Sequence, residues 1–146
     1  MASLSQLETL IDLARRATDD AAKRLGAALK AAGDCQQKLD LLLGYRDDYA
    51  ARFETTMAAG MTPMAYRNFQ AFLGKLDNAI TGQQEVLRHA QRRSEQEKTA
   101  WQASERKRMS YTTLESRAQQ EVLRVEAKRD QKLMDEHAAR QAYYKR

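Results

Sequence analysis

The chain has 146 residues, of which 31% are charged and only 7% aromatic, with six glycines and a single proline. So little turn punctuation excludes a globule of many short elements, and the scarcity of aromatic residues argues against a sheet, leaving a few long helices. A formal net charge of +5 and a mean hydropathy of −0.77 leave only a narrow core, and no stretch approaches the ~18 to 20 apolar residues that span a bilayer.

From the N-terminus, small and apolar residues recur at Leu4, Leu7, Ile11, Ala14, Thr18, Ala21, Leu25, Ala28, Ala32, Cys35, Leu39 and Leu42. Steps of three and four sustained over more than five heptads predict a helix whose seam packs along another helix. Cys35 falls on that seam, where a lone cysteine reads as a small apolar residue rather than a redox group. The opening MASLSQLETL lacks the basic start and long apolar run of a signal peptide, which gives the expectation of a cytoplasmic protein.

The strongest boundary is Ala58-Ala59-Gly60-Met61-Thr62-Pro63. Gly60 suits the left-handed end of a helix, Thr62 a cap, and Pro63 a first helical position that needs no amide hydrogen. The expectation is a single coiled-coil domain over residues 1–146, with helix 1 at about 4–56, a turn at about 57–62 and helix 2 at about 63–142. The fold class is therefore all-α, a long antiparallel two-helix coiled-coil hairpin. At ~1.5 Å per residue the helices are roughly 80 and 120 Å long, so Leu4 falls near Glu115 and the last ~30 residues of helix 2 overhang without a partner in the chain.

Helix 2 offers the complementary seam Phe69, Leu73, Leu76, Ile80, Gln83, Leu87, Ala90, Ser94, Glu97 and Trp101. It turns polar at Ser104 and Arg108 before Tyr111, Leu114, Ala118, Val122 and Val125 restore apolar spacing. Between Arg88 and Arg108 seven basic residues stand against Glu95, Glu97 and Glu105. This stretch reads as a solvated helix face, with an acidic partner or nucleic acid as the alternative. Against nucleic acid, acids are interleaved all along the chain, so phosphate binding would be weak and salt-sensitive.

Near the turn, Ala65, Phe72, Ala79 and Val86 repeat every seven residues beside the main seam, bridged to it by Leu76. That is more apolar width than one partner helix covers. Helix 1 brings Leu41, Leu42, Leu43, Tyr45, Tyr49 and Phe53 to the same end, around Gly44. The surplus is either a thicker local core or a docking patch of aromatic anchors.

Chemistry is sparse. His89 and His137 are far apart, neither a phosphate-binding glycine loop nor a zinc-type His pair occurs, and a single cysteine cannot build a thiolate cluster. The pairs Asp19-Asp20, Asp47-Asp48 and Asp135-Glu136 point about 100° apart on a helix rather than into one site. The expectation is a non-enzyme that needs neither metal nor cofactor.

LETLIDLARRATDDAAKRLG, CQQKLDLLLGYRDDY, NFQAFLGKLDNAI and the late RDQKLMDEHAAR, in this order around one turn, resemble the FliJ family of the flagellar type III export apparatus over nearly the whole chain. The resemblance implies a hairpin similar to the central stalk of rotary ATPases, acting in flagellum biogenesis, motility and chemotaxis. The implied partners are the hexameric export ATPase FliI and its regulator FliH, the cytoplasmic domain of the export gate FlhA, and export chaperones. It also implies a cytoplasmic location, peripheral at the inner-membrane apparatus. Carried over by position, the gate-contacting patch is Leu42, Tyr45, Tyr49, Phe72, Leu76 and Ala79. Gln83 and Lys38 depart from the family pattern, which can carry histidine and glutamine there. The ATPase-facing end comprises Leu4, Leu7 and Ile11 with Arg129, Asp130, Lys132 and Asp135 of the overhang. A stalk of a related virulence secretion system, or a structural or nucleic-acid-binding helical rod, is the alternative.

Overall fold

The computed structural model describes residues 3–145 and consists of two helices, α1 (Leu4–Ala59) and α2 (Pro63–Tyr144). The chain divides into two compact units, Asp20–Trp101 and a second made of residues 3–19 with residues 102–145.

In the unit Asp20–Trp101 the two helices pack antiparallel about the turn. Gly60 takes φ 106°, a left-handed conformation, and its amide donates to the Met57 carbonyl at 3.2 Å. The Thr62 hydroxyl accepts from the Ala65 amide at 3.2 Å, and the Tyr66 amide donates to the Thr62 carbonyl at 3.0 Å, so Pro63 occupies the first helical position. α1 runs to Ala59 rather than to about Thr56 because Met57, Ala58 and Ala59 are all compatible with a helix and only Gly60 ends it. α2 likewise reaches Tyr144 rather than about Ala142, with no breaker between them.

Every seam position expected on α1 is buried or half-buried. Leu39, Ile80 and Leu87 form the apolar cluster, with Cys35 and Leu42 packed on it. Farther from the turn small residues take the most deeply covered seam positions: Ala21 is fully covered, and Ala28 and Ser94 are buried, with Leu25 half-buried between the two alanines. The Ser94 hydroxyl donates to the Gln91 carbonyl of its own helix at 2.8 Å, and Gln83 Nε2 crosses to the Cys35 carbonyl at 3.0 Å. Among the described residues no buried side-chain polar atom lacks a partner. The polar seam positions are thus satisfied, Ser94 within its own helix and Gln83 across the seam, and leave no desolvated orphan among the described residues.

In the other unit, Ser3 and Gln6 bond reciprocally: the Gln6 amide donates to the Ser3 hydroxyl at 3.2 Å and the Ser3 amide to Gln6 Oε1 at 3.0 Å. This capping box starts α1. Leu7, Ile11, Ala14 and Thr18 are buried, and Thr18 Oγ1 donates to the Ala14 carbonyl at 2.9 Å. The α2 positions that close this seam are half-buried: Ser104, Arg108, Tyr111, Glu115 and Ala118. Leu114, expected in the seam, is exposed, because the step from Tyr111 to Ala118 passes through Glu115 instead. Val122 and Val125 continue the apolar spacing but are uncovered, and every residue from 119 to 145 is exposed. No helix among the described residues is long and apolar enough to cross a membrane.

Candidate docking surface

The turn end of the hairpin is held by rings. Tyr49 of α1 lies between Phe69 and Phe72 of α2, with centroids 5.0 and 4.5 Å away, and Phe53 lies against Tyr66 and Phe69 at 5.7 and 5.4 Å. Tilted and edge-on aromatic pairs at these distances add to simple burial. They also fix which flank of each helix faces the same way: Tyr45 stands one turn before Tyr49, and Ala79 and Val86 follow Phe72 at heptad spacing.

The six residues assigned to a gate-facing patch therefore occupy different depths. Leu42 and Leu76 are half-buried seam residues, Tyr49 is half-buried in the ring cluster, and Tyr45, Phe72 and Ala79 are exposed. Tyr49 and Phe72 are brought into direct contact. Tyr45 instead shares an open groove with Gln37, Asp40, Leu41, Gly44 and Asp48. Both readings of the surplus apolar width thus have a structural counterpart. Tyr49, Phe53 and Phe69 thicken the local core, while Phe72 at 45% and Val86 at 50% exposure remain on the surface.

Three features of this end were not singled out from the sequence. Tyr66 joins the ring cluster. Met57, Met61, Pro63 and Tyr66, with Thr62 and Arg67, line a hollow at the turn. Across the seam, Arg46 Nε pairs with Asp77 Oδ1 at 2.5 Å. Arg46 follows Leu42 by four residues on the α1 seam, so a charge at a seam position was the available signal. The hydrogen bond to Asp77, then that carboxylate's charge, hold Arg46 above the ordinary guanidinium value.

The residues assigned to an ATPase-facing end also separate. Leu7 and Ile11 are buried and Leu4 half-buried, while Arg129, Asp130, Lys132 and Asp135 are exposed on the overhang. Gln131 donates to Asp135 at 3.0 Å, and Glu121 is clasped by Arg124 at 2.6 and 3.0 Å. Part of the basic stretch is consumed internally: Arg88 pairs with Glu85 and Arg108 with Glu105, and Glu97 accepts from Arg24 of α1 at 3.3 Å. Among the described residues no three His, Cys, Asp or Glu side chains converge as metal ligands.

These features define an antiparallel helical hairpin whose distinctive chemistry lies on exposed helix faces and an uncovered helical extension. The sequence profile described as Flagellar FliJ protein matches residues 3–146. The chain is 31% identical over 145 residues, 99% of both chains, to the Flagellar FliJ protein of Escherichia coli (strain K12), and equally to that of Salmonella typhi. The chain belongs to the flagellar FliJ family.

Proposed function

We propose that the chain is a non-enzymatic component of the flagellar protein export apparatus, a stalk that promotes assembly of the export ATPase ring and couples it to the FlhA export gate. Family membership supports the flagellar assignment. The observation that carries the coupling role is an apolar, aromatic flank at the turn end that α1 and α2 cannot cover between them, with Phe72 and Tyr45 exposed beside the packed Tyr49. Exposed aromatic anchors beside a rigid cluster are the features of a docking hot spot.

On this reading Leu42, Tyr45, Tyr49, Phe72, Leu76 and Ala79 receive the gate's cytoplasmic domain. The N-terminal turns of α1, through Leu4, Leu7 and Ile11, brace α2 where Arg129, Asp130, Lys132 and Asp135 of the overhang engage the ring of FliI, with FliH as its regulator. Mixed exposed charges suit contacts that must be remade as ring subunits change state, because each ion pair is individually weak. Export chaperones are further partners, and the protein works in the cytoplasm at the inner-membrane apparatus.

The test is a pull-down of the full chain against the ATPase and the gate's cytoplasmic domain, with Tyr45→Ala, Phe72→Ala beside it and circular dichroism on both. Loss of gate binding alone, at unchanged helicity, is the expected result. Retained gate binding by that variant refutes the patch, and failure of the parent chain to bind either partner refutes the coupling role.

A further inference from the structure

Two glycines interrupt the helices at one level of the hairpin, and nothing in the packing asks for either. Gly44 of α1 and Gly74 of α2 are exposed, and a Cβ on each would meet nothing within 4 Å. Glycine in a helix interior is less stable than alanine, and where no neighbour approaches, no contact offsets that loss. The pairing of Arg46 with Asp77 across the seam fixes where the two stand. Gly44 lies two residues before Arg46 and Gly74 three residues before Asp77. Because the helices are antiparallel, the glycines bracket that ion pair, roughly 3 Å to one side of it and roughly 4.5 Å to the other.

The seam is shallow at the same level. Arg46 takes a position where the heptad calls for an apolar residue, and the side chains of Arg46 and Asp77 are 43% and 51% exposed. Leu42, Leu73 and Leu76 around them are half-buried, and among the described residues none of α1 after Leu39 and none of α2 before Ile80 is buried. On either side the helices are held: by Leu39, Ile80 and Leu87 away from the turn, and by the rings of Tyr49, Phe53, Phe69 and Phe72 toward it. Gly33 and Gly82 make the contrast. They are equally open, but Gln83 reaches the Cys35 carbonyl beside them, and Cys35 packs on the buried cluster. Helices depart from straightness at local causes, glycine among them, but in a hairpin each helix splints the other. Both must yield at one level, over a seam that can give, and in the unit Asp20–Trp101 only the level of Arg46 and Asp77 meets both conditions.

We propose that this level is a bending joint in the hairpin, about which the ring-clamped turn end moves relative to the cluster of Leu39, Ile80 and Leu87. The ion pair suits such a place, since a weak, half-exposed pair can lengthen and reform as the angle changes, where a buried leucine would leave a cavity. Packing and backbone chemistry carry the joint without any export role. One consequence does rest on the docking reading: Tyr45 adjoins Gly44 and Phe72 lies two residues from Gly74, so the angle of the joint sets the spacing of the exposed anchors, and a partner seated on them selects one angle.

The test is electron-spin distance measurement on the full chain carrying Ala27→Cys and Thr55→Cys, each nitroxide-labelled, with Cys35→Ser so that only these two exposed sites react. The labels stand four heptads apart on the flank of α1 that carries Leu41, roughly 42 Å along the helix, and span the joint. With side chains about 6 Å from the axis, a bend of about 20° toward that flank shifts their separation by about 2 Å. The expected result is a distribution that narrows by about that much in Gly44→Ala, Gly74→Ala. Gly33→Ala, Gly82→Ala, which also places one alanine in each helix between the labels, is expected to leave the width unchanged; circular dichroism should show both variants helical. A parent distribution already as narrow as that of Gly44→Ala, Gly74→Ala overturns the proposal, because the hairpin is then stiff at this level. Equal narrowing by the two variants overturns it as well, because bending is then spread along weakened helices. Neither outcome depends on a partner, so the joint and the docking reading fail separately.

Discussion

Leu39 and Leu41 are two residues apart on one helix and chemically identical, yet their environments differ sharply. Leu39 is 7% exposed in the cluster with Ile80 and Leu87; Leu41 is 58% exposed on the groove wall. Replacing Leu39 by alanine removes three carbons, and at ~0.8 kcal/mol per buried carbon the transfer term is about 2.4 kcal/mol. The additional cavity term is small, because the cluster is one seam wide and its flanks are half-exposed, so water and neighbouring side chains can close the gap. The expected loss is therefore about 2.5 kcal/mol, toward the low end of the range for leucine truncation. Leu41→Ala loses less than half of that transfer term and recovers a few tenths of a kcal/mol of helix propensity, leaving about 0.5 kcal/mol. Urea unfolding of both variants, followed by circular dichroism at low protein concentration, measures the difference. Equal losses would refute the assignment of the seam, since they would mean that both faces of α1 are covered to the same extent in the monomer.

Gly60→Ala should cost about 1 kcal/mol, since a Cβ there meets no neighbour and only the left-handed backbone opposes it; the unfolding midpoint measures this. Acid should act on the carboxylates clasped by arginine. Hydrogen bonds from Arg124 and Arg108 hold Glu121 and Glu105 below the ordinary carboxylate range. Stability from a depressed group is present above its unfolded value and lost as pH falls through its folded value. Helicity is thus expected to stay level down to about pH 4 and decline below it, with Glu121→Gln removing part of that decline. Truncation after Ala118 should leave the midpoint unchanged while lowering total helical signal, since every residue from 119 to 145 is exposed. Reversing Arg46 or Asp77 alone should lower the midpoint, and the swapped pair Arg46→Asp, Asp77→Arg should recover most of it if the cross-helix clasp sets register.

Much of this architecture is legible in the sequence because a heptad is a one-dimensional signal. The seam positions read between Leu4 and Leu42 are all buried or half-buried, and Gly60, Thr62 and Pro63 each do what their backbone chemistry dictates. Legibility declines where the seam turns polar. Leu114 is the more apolar candidate, but Glu115 is the residue half-buried between Tyr111 and Ala118, because register is set by helical phase and not by hydrophobicity at one position. The docking surface is harder still. Periodicity shows that Phe72, Ala79 and Val86 exceed the width of one seam, but not that Tyr49 would spend its ring on Phe69 and Phe72 while Tyr45 faces the groove. That division depends on side-chain reach across the antiparallel pair.

This division decides which substitutions can separate folding from docking. Near the turn the same rings serve both purposes: Tyr49 and Phe53 join α1 to α2, and Phe72 contacts Tyr49 while remaining partly exposed. Truncating Leu76 or Tyr49 removes hairpin contacts as well as surface, so lost binding in such a variant would be ambiguous between a missing contact and a displaced helix. Tyr45 and Ala79 lie on the exposed flank of the same face and carry little of the hairpin's packing. A charge at Ala79, as in Ala79→Asp, should therefore abolish docking at unchanged unfolding midpoint, because a partner's apolar surface would have to desolvate a carboxylate with no counter-ion. If Ala79→Asp unfolds the hairpin instead, the flank belongs to the core and the aromatic end is a structural clamp. If it changes neither binding nor stability, the partner surface is not on this face.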